Sequence, residues 1–118
     1  WSPAWISYSG NNRTHMVRIP DDQRLEIRLP DGAANPYLLQ AAVLAAGLDG
    51  IERQLDPGPC SQANLHSDPP PWPGRGPLPD SLDSALEQFE ADTTLRQSLG
   101  EQFCKAYLRL MHRGERDN

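Results

Sequence analysis

Arg24-Leu25-Glu26-Ile27-Arg28-Leu29-Pro30-Asp31, followed by Asn35-Pro36-Tyr37-Leu38 and a run to Gly50, divides the chain into a strand-forming part and a helical part. The first stretch alternates charged and apolar side chains with a period of two. Arg24, Glu26 and Arg28 therefore leave one face of a strand, and Leu25, Ile27 and Leu29 leave the other. Two guanidinium groups flanking a carboxylate suit a site that holds anions beside a divalent cation. They also suit a solvated sheet face, with arginines packed along their stems and Glu26 as their salt-bridge partner.

Working outward, Trp5 to Tyr8 has β-propensity, and Ser9-Gly10-Asn11-Asn12 reads as a turn. Thr14 to Ile19 is a second strand, ended by Pro20 and the Asp21-Asp22 turn. The short connection to Arg24 makes strands two and three an antiparallel hairpin. Downstream, Asn35 is a good helix N-cap and Pro36 fits the first helical position; capping is sufficient to explain Asn35, although its amide could also contact a substrate. Residues 37 to 46 are almost wholly apolar and Gly47 is placed to end the helix, so a buried helix is expected over 35–50. Prolines dominate residues 56–79 and forbid regular structure there. That segment is a surface excursion with Leu65 and Trp72 as anchors, or a proline-rich ligand for another domain. Helices follow over 80–113. Asp80 or Ser81 caps the first, which carries Leu82, Ala85, Leu86 and Phe89; the last begins near Leu99 and carries Phe103, Tyr107, Leu110 and Met111. The fold class is α+β: a few antiparallel strands, a buried helix, then peripheral helices.

With 118 residues there is room for one domain at most, and a net charge of −5 argues against nucleic acid as a partner. Cys60 and Cys104 lack metal-ligand spacing and read as reduced thiols of a cytoplasmic protein. The longest strongly apolar stretch, Ala41 to Ala46, is too short to cross a bilayer, and no signal-peptide pattern opens the sequence. Trp1 at the start and a charged run at the end suggest a piece of something longer, as does a helix with too little chain around it to cover it. Arg13, Arg18, Arg24 and Arg28 crowd the first strands, where planar guanidinium forks match phosphate or carboxylate oxygens. Glu26, if it is a metal ligand, suits magnesium or manganese. His15, His66 and His112 share no ligand spacing.

Asn12-Arg13-Thr14, Arg18-Ile19-Pro20, Arg24 to Asp31, Ala34 to Leu38 and Ala45 to Ile51, in this order and spacing, resemble the C-terminal catalytic region of glutamine synthetase. The resemblance implies an ATP-dependent ligase that joins ammonia, or another small amine, to the γ-carboxylate of glutamate through γ-glutamyl phosphate. It implies Glu26 as a ligand of Mg2+ or Mn2+ at the ATP phosphates, and Arg28 on the glutamate carboxylate being activated. Arg18 would contact ATP phosphate, Arg24 would line the same pocket, and Arg13 would sit between ATP and glutamate. Catalytic weight falls on Arg13 and Arg28. Family members form ring-shaped homo-oligomers and complete the site with residues from upstream and from a neighbouring subunit, so the isolated chain is expected to be inactive.

Three details set the chain apart from the bacterial type I enzymes. Thr14 replaces a commoner serine, the hairpin between Arg18 and Arg24 is shorter, and Pro20 to Gln23 holds no ATP-contacting lysine. A flap glutamate of that class would fall at or next to Trp1. The chain looks closer to the type III and γ-glutamylamide synthetase branches, for which methylamine or a larger amine is the alternative substrate. A non-catalytic relative of the fold is the remaining alternative.

Overall fold

The computed structural model describes residues 2–67 and 76–116. Trp1, Trp72 and the prolines at 69, 70, 71 and 73 lie outside the described residues, so the anchor expected at Trp72 and the flap position near Trp1 do too. The fold is α+β and divides into two compact units, residues 1–33 with 56–80 and residues 34–55 with 81–118.

The first unit is built on a three-stranded sheet in the order β1 (Tyr8–Ser9), β2 (Val17–Asp21), β3 (Arg24–Ile27). The expected antiparallel hairpin is β2–β3, with Val17 opposite Ile27 and Arg18 opposite Glu26. Pro20 does not end β2, as the sequence suggested. Between the Arg18–Glu26 and Asp21–Arg24 pairs, Ile19 and Pro20 face Leu25 alone, and this bulge accepts a residue without an N–H. The two-residue turn closes where Asp21 Oδ1 accepts the Gln23 N–H at 2.9 Å.

Contrary to an all-antiparallel set, β1 runs parallel to β2. The expected strand from Trp5 to Tyr8 is split between two partners. Trp5 bridges Pro77, with the Leu78 N–H on the Ala4 carbonyl at 2.9 Å, and only Tyr8 and Ser9 join the sheet. The connection from β1 to β2 doubles back over residues 10–16. The Gly10 carbonyl accepts the N–H groups of Asn12 at 2.8 Å and Ile19 at 3.1 Å.

The first part of the proline-rich stretch is strapped to this sheet. The Ser61 N–H donates to the Tyr8 carbonyl at 3.0 Å, the Ser9 hydroxyl donates to the Ser61 carbonyl, and the Tyr8 hydroxyl donates to the Gly58 carbonyl. Ser9 and Ser61 are both buried. His15, fully enclosed, meets the Ala63 carbonyl through Nε2 at 2.9 Å. Leu65 is anchored by its backbone, whose N–H donates to the Thr14 hydroxyl at 3.0 Å. Thr14 in turn donates to Asn12 Oδ1 at 2.8 Å, a role any hydroxyl in this place could fill.

The second unit is helical. Asn35 Oδ1 accepts the N–H groups of Tyr37 and Leu38 at 2.9 and 3.3 Å, opening α1 (Pro36–Glu52) with proline in its first turn. Gly47 does not stop the helix. The end comes at Gln54, whose φ of 50° lets the Gln54 N–H reach the Ile51 carbonyl and the Leu55 N–H reach the Gly50 carbonyl. That crossed pair closes a helix as glycine usually does. The expected burial of this helix is absent: no residue of α1 is buried, and Tyr37, Leu44, Leu48 and Ile51 are largely exposed. One flank meets a later short helix, and the other sides have no cover among the described residues of this unit.

Ser81 caps α2 (Leu82–Ala91) with a reciprocal bond to Ser84. Asp92 caps α3 (Thr93–Leu99), a short helix absent from the sequence reading, and α3 packs on α1. Gly100, at φ 95°, turns the chain into α4 (Glu101–Arg116). The seam of α4 lies one step from the expected apolar set: Cys104 and Leu108 are buried with Leu86, whereas Phe103 and Leu110 are exposed. Tyr107 stays in place by meeting Phe89 edge-on, with ring centres 5.9 Å apart. Cys60 and Cys104 are free thiols.

Candidate active site

The β2–β3 register sets the site. Arg18 and Glu26 face each other across the ladder, and Arg28, one residue beyond β3, returns to the same face by the two-residue period. Glu26 lies between two cations: Arg18 Nη1 reaches Oε2 at 3.0 Å, and Arg28 Nη1 reaches Oε1 at 2.6 Å. The Glu26 carboxyl is held below the usual carboxylate range, chiefly by the Arg28 hydrogen bond. Partial loss of water opposes that shift, and the charge and hydrogen bond of Arg18 add to it.

Two guanidinium groups on one carboxylate leave the cluster net positive. The Nε–H of Arg28 is buried and has no acceptor among the described residues. A buried donor without an acceptor is costly, which marks this guanidinium as incompletely satisfied by the protein itself.

Beside the cluster opens a polar cleft lined by Ser9, Asn11, Asn12, Arg13, Arg18 and Gln62. Arg13 and Arg18 are thereby brought to one cavity from a loop and a strand. Arg18 is the shared member, touching the cleft on one side and Glu26 on the other. Arg24 is placed differently. It sits at the hairpin turn, pairs with Asp21 at 3.4 Å, and is neither on Glu26 nor among the residues lining the cleft.

Ser9, Asn11, Asn12 and Gln62 are the cleft residues to which sequence reasoning gave no role. Ser9 and Asn11 were marked only by their place in a turn, Asn12 also by the Asn12-Arg13-Thr14 motif, and Gln62 lay in a stretch whose composition indicated loop alone. For a divalent cation, Glu26 is the carboxylate that the arginine cluster holds among the described residues. Each Glu26 oxygen retains acceptor capacity beyond its single arginine, and the flanking cations suit a metal-bound phosphate. No group of three potential metal ligands occurs among the described residues, so Glu26 would be one ligand of a set completed elsewhere.

This geometry defines an α+β module whose strand end gathers two arginines around one carboxylate beside a polar cleft. The family model described as "Glutamine synthetase, catalytic domain" matches residues 1–118. A glutamine synthetase of Rhizobium leguminosarum bv. phaseoli is 48% identical over 112 residues, covering 95% of this chain and 26% of that protein. A glutamate–methylamine ligase of Methyloversatilis universalis is 44% identical over 115 residues, with 95% and 26% covered. The solved structure "Apo GmaS without ligand" superposes with a TM-score of 0.86 at 49% identity, over 98% of this chain and 27% of that one. A further structure, "GmaS/ADP complex-Conformation 1", gives 0.81 at 49% identity over the whole chain and 28% of its own. The chain belongs to the glutamine synthetase family. It spans about a quarter of the length of these relatives.

Proposed function

We propose that this chain is part of an ATP-dependent ligase that joins an amine to the γ-carboxylate of glutamate. The observation that carries the reading is the bracketing of Glu26 by Arg18 and Arg28 beside a cleft that also holds Arg13. Phosphoryl transfer requires little covalent participation from protein; it needs oxygens positioned and charge neutralised. In this reading a γ-carboxylate oxygen of glutamate attacks the terminal phosphorus of ATP and ADP leaves. The amine nitrogen then attacks the acyl carbon and phosphate leaves.

Arg28 holds the carboxylate under attack, presenting the Nε–H that the protein leaves without an acceptor. Arg18 holds ATP phosphate from the cleft, and Arg13 lies between the two substrates. Arg24 contributes positive charge from the hairpin end; its pairing with Asp21 makes it the outermost of the four. Glu26 supplies one oxygen ligand to Mg2+ or Mn2+. Such an ion would supply positive charge against the phosphate oxygens. Glu26 keeps its negative charge at neutral pH, as a metal ligand must.

The amine is assigned as ammonia. Methylamine or a larger amine is the alternative, favoured by the similarity to a glutamate–methylamine ligase. Self-association into a ring and a cytoplasmic location follow from the family reading; no helix among the described residues is long and apolar enough to cross a membrane. With one carboxylate ligand and a quarter of the relatives' length, the isolated chain is inactive in this account. The test is amine-dependent phosphate release from ATP by the full protein, with glutamate and magnesium, offering ammonia and methylamine in turn. Release that depends on glutamate and on one of the amines is expected. Release with neither amine, or from the 118-residue chain alone, contradicts the reading.

A further inference from the structure

Arg18 stands in the cleft held on two edges. Its Nε and Nη2 both donate to Asn11 Oδ1, at 2.9 and 2.5 Å, while Nη1 donates to Glu26. We propose that Asn11 is a positioning residue for Arg18, fixing the plane of its guanidinium so that the remaining donors are offered to an anionic oxygen in the cleft. A guanidinium has five N–H donors. Three are engaged here, leaving one on each terminal nitrogen, the pair that phosphate oxygens match as a fork.

The amide at position 11 matters because it is neutral. An arginine flanked by two carboxylates would be oriented equally well and stripped of its surplus charge. Asn11 Oδ1 takes two hydrogen bonds and adds no negative charge, so the cluster of Arg18, Glu26 and Arg28 stays net positive. Asn11 is itself fixed by its neighbours. Gly10 accepts from Asn12 and Ile19 through its carbonyl, and the Asn12 side chain donates to the Ala63 carbonyl at 3.1 Å and accepts the Thr14 N–H at 3.0 Å. The two adjacent asparagines thus divide the work: Asn12 ties the loop to the strap, and Asn11 ties it to Arg18.

This inference rests on the assignment of Arg18 to ATP phosphate, and the experiment separates the two. In the full protein, Asn11→Ala, Asn11→Asp, Arg18→Ala and the Asn11→Ala/Arg18→Ala double variant are compared for KM and kcat with ATP varied, together with thermal midpoints. Asn11→Ala is expected to raise KM for ATP about tenfold, equivalent to about 1.4 kcal/mol. With uniform binding lost, kcat stays within about twofold. In the Arg18→Ala background the same substitution changes nothing further, because it acts through the missing side chain. Asn11→Asp keeps the acceptor and adds charge, and is expected to raise KM at least as far. A role confined to shaping the turn predicts that aspartate restores wild-type values, and that result overturns the proposal. An additive double variant also overturns it, as does an unchanged KM in Asn11→Ala when Arg18→Ala raises it. An unchanged KM in Arg18→Ala overturns the phosphate assignment itself and this inference with it.

Discussion

Both oxygens of Glu26 are held by guanidinium groups, and the consequence is a pH dependence with a definite sign. A carboxyl whose folded pKa lies below its unfolded value stabilises the fold fully above the unfolded value, here 4.5. It loses that contribution as pH falls through the lower folded value. Glu26 is 41% exposed at its side chain, so the contribution is modest and sensitive to salt. The difference in thermal midpoint between wild type and Glu26→Gln is expected to be constant above that range and to shrink toward zero as pH drops below it. A difference that grows on acidification contradicts the pairing. Alternation in the sequence was enough to place Glu26 and Arg28 on one face. It could not reveal that a two-residue turn brings Asp21 to Arg24 and draws that arginine off the cluster. Nor could it single out Asn11, whose role depends on a fold-back from β1 that no local pattern encodes.

At the scale of elements, α1 ends on a strained residue. Gln54 occupies the left-handed region at φ 50°, where a side chain costs about 1–2 kcal/mol, and glycine there would relieve it against an entropic cost of about 0.5–1 kcal/mol. Gln54→Gly is expected to tighten the last turn of α1, slowing hydrogen exchange of the Gln54 and Leu55 amides. Exchange at the wild-type rate or faster contradicts the assignment of strain. The start of α1 was legible because Asn35 and Pro36 act through their own chemistry. Its end was not, because glutamine at a glycine's post carries no signal while Gly47 carries a false one. Helix α3 was hidden behind Thr93 and Thr94, weak helix formers that Asp92 caps and that packing on α1 supports. The strap at 58–65 was read as a surface excursion with Leu65 as an anchor, but its partners were not legible for a related reason. Its order comes from hydrogen bonds to residues about fifty positions away, and composition reports only the absence of regular structure.

For the whole molecule, five linked sequence motifs carried the family resemblance, and the structural match follows it across the chain. Burial is where composition and structure part, in the way the shortage of covering chain around α1 implied. The apolar composition of α1 demanded cover, yet its large side chains stay exposed in a chain that spans a quarter of its relatives' length. The demand was correct about the chemistry of those side chains, and the described residues do not answer it. The central claim is that Arg28 holds a substrate carboxylate in a ligase, and steady-state turnover of Arg28→Ala in the full protein tests it most directly. Glutamate-dependent product formation should fall by about two orders of magnitude or more, as for loss of a charge-stabilising donor, while the thermal midpoint stays near wild type. Wild-type kcat and KM for glutamate in that variant would contradict the account.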